Sequence, residues 1–318
     1  LMLCKNEELY LKRSIENWDK IELNLSSSRN NLVDFFYYHW LTFESTQLTK
    51  KTLYKNVRQK LNLYKPEEIV EYTKFVSKTS KTFIYLTDKD LLFPSSKYKR
   101  DSLEQFLAEI QVLNYSICIP AIFYLKHIDS SLTQDLARLS IAFLFRTITI
   151  GELQVRKAKD TFDQILNYLN EGNPSLEVLN KIFEQNCEID DEEFTRKFLQ
   201  KTFSNTLGKY VLTKILQYEM GPETVVSEVD LEHILPISFQ QNWSDFDFSN
   251  RKSEDVIGNI GNLTLLNTGS NRSIKNSKFS KKIPYYKKRN KSEDKKSTTI
   301  KLSYEIHEKF ERAGGAQS

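Results

Sequence analysis

The first 150 residues of this chain contain no glycine, since Gly151 is the first one. Glycine is the residue that most readily supplies tight turns, and the segments between apolar stretches here are short and polar instead. Apolar residues recur at helical spacing after Ser102, for example at Phe106, Ile110 and Leu113. We therefore predict that the first two thirds of the chain are helical, with Ser102 as a helix N-cap.

The character of the sequence changes at Gly221-Pro222. A β-branched run leads into residues 229–236, where Pro236 ends any strand. A second short strand is predicted at residues 262–266, and residues 271–282 predict one amphipathic helix closed by Pro284. Strand, long loop, strand and helix form a ββα unit.

These patterns predict a mainly α fold in two domains, a helical one at residues 1–220 and a small ββα one at residues 221–318. Just before the boundary, residues 190–218 form a long amphipathic pattern with acidic residues first, which suits a helix dipole. The hydrophobic fraction of 39% supplies enough apolar material for a core.

The charge of the chain is concentrated near its end. Residues 251–296 hold 13 Lys or Arg against 4 Asp or Glu, a net charge of +9, so the rest of the chain sums to −5 of a total of +4. Such an asymmetry indicates a polyanionic partner. Tyr285 and Tyr286 lie within the basic stretch and favour nucleic acid, although a solvated tail is the alternative.

Cysteine content and hydropathy indicate the compartment. Cys4, Cys118 and Cys187 are far apart and form no pair with metal-ligand spacing, which favours a reduced, cytoplasmic protein. No apolar run is long enough for a membrane span, and no signal peptide opens the chain. Because the chain begins with Leu1, we expect a fragment of a longer protein.

Chemistry-bearing residues are concentrated in the ββα unit. Glu232 and His233 are adjacent between apolar neighbours, and Asn262 opens the second predicted strand. Asn271 follows nine residues later, and Lys275 one helical turn beyond it. Each has a structural alternative: a core histidine, a turn asparagine after Gly261 or a helix N-cap at Asn271.

In this order the residues resemble the HNH nuclease motif in its ββα-metal form. The matching pieces are Leu231-Glu232-His233-Ile234-Leu235-Pro236, Gly261-Asn262-Leu263-Thr264-Leu265-Leu266, Asn271-Arg272-Ser273-Ile274-Lys275 and Phe279-Ser280-Lys281-Lys282. More narrowly, residues 222–292 resemble the C-terminal module of GmrSD-type, modification-dependent restriction enzymes and of SspE-like defence nucleases. The final His of the HNH name is replaced here by Asn271, which keeps one oxygen ligand.

The resemblance implies a role for each residue. His233 would be the general base and Asn262 would fix the loop that carries it, both as members of the catalytic site. Glu232 and Asn271 would ligate Mg²⁺ or Mn²⁺, with Asp230 as a possible further ligand. Contacts to the DNA backbone would come from Arg272, Lys275, Lys281, Lys282, Lys287, Lys288 and Arg289. On an extended strand, however, Glu232 and His233 point to opposite faces.

We therefore predict a divalent-metal-dependent HNH DNA endonuclease that nicks or cuts both strands in bacterial defence against phage or modified DNA. The resemblance also implies a ParB-like nucleotide-handling domain upstream of Leu1. An RNase with the same site is one alternative, and a non-catalytic DNA-binding and regulatory module of a larger restriction protein is another. The sequence predicts no oligomeric state.

Overall fold

The computed structural model describes residues 8–26, 31–44, 48–87, 102–220, 228–243, 247–248, 251–289 and 297–313. The described residues up to Glu188 form one compact unit, which we call the helical unit. Those from Ile189 onward form a second one, which we call the C-terminal unit.

The helical unit is built from nine α-helices among its described residues. Their bounds are α1 Glu8–Ser26, α2 Leu32–Phe43, α3 Lys50–Leu61, α4 Pro66–Thr87, α5 Leu103–Leu113, α6 Ile119–His127, α7 Thr133–Leu144, α8 Val155–Asn170 and α9 Leu176–Asn186. Ser102 caps α5 by accepting a hydrogen bond from the backbone nitrogen of Gln105, as predicted. The core is rich in aromatic side chains such as Phe35, Phe83 and Phe123, all fully buried.

The described residues of the C-terminal unit form α-helices of 5 to 16 residues and one two-stranded sheet. Its elements are α10 Asp191–Gln200, α11 Asn205–Met220, β1 Val229–His233, α12 Ser253–Ile257, β2 Leu263–Asn267, α13 Thr268–Ile274, α14 Phe279–Tyr286 and α15 Lys301–Arg312. β1 begins at Val229 as predicted but ends at His233, three residues before Pro236, and β2 begins and ends one residue later than the predicted 262–266. The prediction of a mainly α protein is confirmed, whereas the HNH form of the ββα unit stays a prediction.

The two strands are antiparallel, with His233 opposite Leu263 and Glu232 opposite Thr264. Helix α11 packs on one face of this sheet. Gly208 allows the close approach, because a Cβ there would lie 3.0 Å from Leu263 Cδ1 and 3.4 Å from Leu231 Cδ2. The opposite face packs against α14 and α15. Glu232 on this face bonds residues of α14, and Thr264 bonds a residue of α15.

The long helix predicted at residues 190–218 is interrupted between α10 and α11. There Thr202 forms a bridge with Asn259, and the backbone nitrogen of Phe203 donates to the carbonyl of Gly258 at 2.7 Å. The tertiary pairing therefore replaces one turn of helix. Both helices belong to the C-terminal unit, so this unit begins earlier than the domain boundary predicted near residue 221.

The prediction of a single helix at residues 271–282 is wrong. The structure has α13 and α14 with a break between them, and Lys275 at the break has a φ of 42°. A positive φ cannot continue a right-handed helix. Pro284 lies inside α14 rather than after it.

No helix among the described residues is long and apolar enough to cross a membrane.

Candidate active site

Asn262 ties the end of β1 to the segment that precedes β2. Its Oδ1 accepts a hydrogen bond from the backbone nitrogen of Leu235 at 2.7 Å. Its Nδ2 donates to the carbonyl oxygens of Leu235 and Ile257 at 3.0 and 2.9 Å. Its own carbonyl accepts from the backbone nitrogen of Ile234 at 2.9 Å. This geometry agrees with a loop-fixing role, while a part in catalysis stays a prediction.

His233 is the last residue of β1 and is half-buried. Burial, together with the positive charge of Lys282, lowers the pKa of this imidazole below its usual value of 6.5. The ring is therefore neutral at pH 7 and able to accept a proton. Its assignment as general base stays a prediction.

Glu232 is held in an internal network on the other face of the strand. Its side chain is only 4% exposed. Its Oε1 accepts hydrogen bonds from Lys282 Nζ at 2.7 Å and from the Tyr286 hydroxyl at 2.9 Å. Burial raises the pKa of Glu232, and the adjacent ammonium offsets part of that rise.

Lys282 was predicted to bind DNA, but its side chain is fully buried, at 0% exposure. Besides Glu232, its ammonium donates to the carbonyl oxygens of His233 at 2.7 Å and Ile234 at 3.1 Å. All three donors of the ammonium thus have partners inside the protein. A phosphate has no access to this group, so the DNA-binding prediction for Lys282 conflicts with the structure.

Asn271 and Asp230 are the other two predicted metal ligands. Asn271 lies on α13, and its Nδ2 donates to the carbonyl of Leu231 at 3.2 Å. This bond leaves the side-chain oxygen as the group that could ligate a cation. Asp230 is partly exposed, and its Oδ1 lies 3.8 Å from Lys209 Nζ on α11.

The predicted magnesium site fits these residues only in part. Asn271 offers an oxygen, but Glu232 is buried and already paired with an ammonium and a phenol. Mg²⁺ usually requires one or two carboxylates with several waters. The described residues contain no group of three or more His, Cys, Asp or Glu that could hold a metal ion. We therefore assign no chemical step to a metal at Glu232.

The other predicted DNA contacts lie on the surface or near it. The exposed ones are Arg272, Lys275, Lys281, Lys287 and Lys288. Lys288 Nζ lies 5.1 Å from the ring centre of Tyr304. The Arg289 guanidinium is partly occupied, because its Nη2 donates to the carbonyl of Ser297 at 2.7 Å. The basic residues Lys291, Lys295 and Lys296 lie outside the described residues.

Sequence reasoning named Lys282 and Tyr286 only as members of the basic stretch and missed their role in this network. Lys282 and Tyr286 are four apart on α14, and the fully buried Tyr286 packs with Leu266 and Ile274. Helix α15 was not predicted either, although Ser303 on it bonds Thr264 of β2 at 3.1 Å. The available signal was the spacing of Phe279, Lys282 and Tyr286 on one helical face.

Comparison with known protein families matches residues 188–312 to the family described as GmrSD restriction endonucleases, C-terminal domain. The match begins at Glu188, one residue before the C-terminal unit, and includes the helices and both strands of that unit among the described residues. It confirms the resemblance to the C-terminal part of these enzymes and indicates a nuclease of the restriction-endonuclease type. A search of the curated proteins found no match to this sequence.

Proposed function

We propose that the C-terminal unit is an HNH-type endonuclease that hydrolyses phosphodiester bonds in DNA. The observation that carries this proposal is the position of His233 within a segment that matches a restriction-endonuclease domain. The imidazole follows directly after a buried strand residue, and the next two residues are fixed by Asn262. Preorganisation of this kind is what a general base requires.

The proposed chemistry starts with water. His233, neutral at pH 7 because burial lowers its pKa, takes a proton from the water whose oxygen bonds to phosphorus. The bond from phosphorus to the leaving 3′ oxygen breaks, and that oxygen takes a proton from solvent. Asn262 holds the main chain directly after the histidine, which fixes the position from which the imidazole projects. Exposed Arg272, Lys275 and Lys281 lie on the same unit and offer cations to the phosphate backbone.

We keep Mg²⁺ or Mn²⁺ as the proposed cofactor, on the resemblance to HNH nucleases alone. Asn271 is the predicted ligand that its surroundings leave available, and Asp230 is the carboxylate with partial access to solvent. Bacterial defence, a cytoplasmic location and a ParB-like partner domain are likewise proposals that rest on resemblance.

A rival function is a non-catalytic DNA-binding module. The ion pair between Glu232 and Lys282 favours this binding function, because Glu232 was predicted to hold the metal and instead pairs with the ammonium. Both functions predict salt-sensitive DNA binding through the exposed basic residues. Only the nuclease function predicts that the bound DNA is cleaved.

The test is incubation of the full chain with supercoiled plasmid in EDTA, Mg²⁺, Mn²⁺ or Ca²⁺, with DNA binding measured in parallel. Our proposal predicts cleavage that depends on Mg²⁺ or Mn²⁺, and the ratio of nicked to linear product reports how many strands are cut. Binding without cleavage under every condition would favour the rival module. An RNA substrate is incubated under the same conditions, and cleavage of RNA but not DNA would identify an RNase.

A further inference from the structure

The backbone directly after β1 is fixed from two sides. From one side, Asn262 bonds the nitrogen of Ile234 and both the nitrogen and the carbonyl of Leu235. From the other side, the Lys282 ammonium donates hydrogen bonds to the two remaining carbonyl oxygens of the segment. These are the carbonyls of His233 at 2.7 Å and Ile234 at 3.1 Å. Every backbone carbonyl from residue 233 to residue 235 is therefore bonded.

The third bond of the ammonium explains why a lysine can be buried here. An ammonium without a counter-charge is very costly in the protein interior, and Glu232 supplies that charge at 2.7 Å. Tyr286 donates to the same carboxylate oxygen at 2.9 Å and so holds the carboxylate against Lys282. Both charges are nearly or wholly inaccessible to solvent, with exposures of 4% for Glu232 and 0% for Lys282.

A metal ion could take Glu232 Oε1, the oxygen that carries both bonds, only by displacing this ammonium. At Oε2 the metal would share one buried carboxylate with the ammonium, whose positive charge repels it. Displacement would leave a buried positive charge without its partner and would also free the two carbonyls that the ammonium holds. The phenol of Tyr286 would lose its acceptor as well. The network is complete without a metal.

We infer that Lys282 is a positioning residue of the proposed nuclease site, which fixes the main chain at His233 and Ile234, and that Glu232 is its counter-ion rather than a metal ligand. This inference rests on the proposed function for its effect on turnover. Its geometric part concerns the main chain alone and is measurable in a protein that does not cleave.

The experiment compares three variants of the full chain with the unchanged protein. Lys282→Met alone leaves a buried carboxylate unpaired and can fail to fold, so the working variant is the double substitution Glu232→Gln with Lys282→Met, which removes both charges. Glu232→Gln alone keeps an oxygen that accepts from Lys282 and Tyr286 but leaves the ammonium without a counter-charge, so this variant can also fail to fold. Lys281→Met is the matched control, because Lys281 is the adjacent lysine on α14 and is exposed.

Hydrogen exchange tests the positioning. We expect the double variant to speed exchange of the Ile234 and Leu235 amides at least about tenfold, with β2 amides little affected, because two carbonyls lose their donor. Lys281→Met should leave this exchange unchanged. Unchanged exchange in the double variant would overturn the inference even if the protein is a nuclease.

Kinetics and metal binding test the two halves of the inference separately. For cleavage of a short duplex, the double variant should lower kcat by about tenfold to a hundredfold at a similar KM, because the base is misplaced. Lys281→Met should raise KM instead. Mn²⁺ affinity measured without DNA should be the same in the double variant as in the unchanged protein, and its loss in a double variant whose β2 amides stay protected would identify Glu232 as a ligand. Absence of any cleavage would reject the proposed function and leave the exchange result to decide on the positioning.

Discussion

Substitutions at Asn262 separate its two hydrogen-bonding groups. Asn262→Ala removes all three side-chain bonds, one accepted from the nitrogen of Leu235 and two donated to the carbonyls of Leu235 and Ile257. Asn262→Asp keeps the acceptor but places a carboxylate oxygen against two carbonyl oxygens. We therefore expect Asp to destabilise the C-terminal unit more than Ala, although Asp has the closer shape.

The magnitude follows from the number of bonds. A hydrogen bond contributes about 1 kcal/mol net, so Asn262→Ala should cost about 2 to 3 kcal/mol, with water replacing part of the loss at this half-buried site. Asn262→Asp should cost at least about 1 kcal/mol more, because the carboxylate must be desolvated beside two acceptors.

The assay measures unfolding in urea through the hydrogen exchange of amides in β1 and β2. These amides report on the C-terminal unit alone. The control is Asn259→Ala, which removes one bond to the nitrogen of Gly261 and one to the carbonyl of Leu199. It should lower stability without changing kcat, because neither bond involves the segment after His233. If Asn262→Asp proved as stable as the unchanged protein, Asn262 would not bond as the structure describes.

Three further predictions concern packing, pH and salt. Gly258→Ala should cost about 1 to 3 kcal/mol in urea unfolding, because its Cβ would lie 2.5 Å from Thr202 Cγ2, and Thr202→Ser should recover part of this loss. Burial lowers the pKa of His39 to about 3, from 6.5 in the unfolded chain. The stabilisation of the folded state that comes from neutral His39 is therefore fully present above pH 6.5 and is lost as the pH falls towards 3. His39 alone should lower the unfolding free energy by about 2 kcal/mol between pH 7 and pH 5. A His39→Phe variant should lose this part of the drop and keep the part that comes from His127 and His233, whose pKa values burial also lowers. Arg272→Met and Lys281→Met should each reduce the slope of log DNA affinity against log salt by about 1, and an unaltered slope would exclude a phosphate contact at that residue.

Local patterns in the sequence predicted much of the fold. Helical spacing and the Ser102 cap predicted α5, and the apolar run after Asn262 predicted β2. Asn262 itself was predicted to fix the loop of His233, and its bonds agree with that role. These features depend on residues close in sequence or on one well-marked motif.

The remaining features depend on contacts between distant residues. Lys282 lies in a basic stretch, where a lysine normally faces solvent, and only its pairing with Glu232 fifty residues earlier explains its burial. The break at Lys275 requires a positive φ that lysine seldom adopts, so local propensity predicted a continuous helix. Strand alternation did indicate that Glu232 and His233 point to opposite faces, and the network around Glu232 agrees with it.

The central claim is that His233 is the base of a nuclease, and single-turnover plasmid cleavage by His233→Ala tests it most directly. His307→Ala serves as the matched control, because His307 lies on α15 with its Nε2 3.7 Å from Glu311. Our account predicts a loss of at least about a hundredfold in cleavage rate for His233→Ala, with DNA affinity retained and with His307→Ala unaffected. Cleavage by His233→Ala at the rate of the unchanged protein would contradict it.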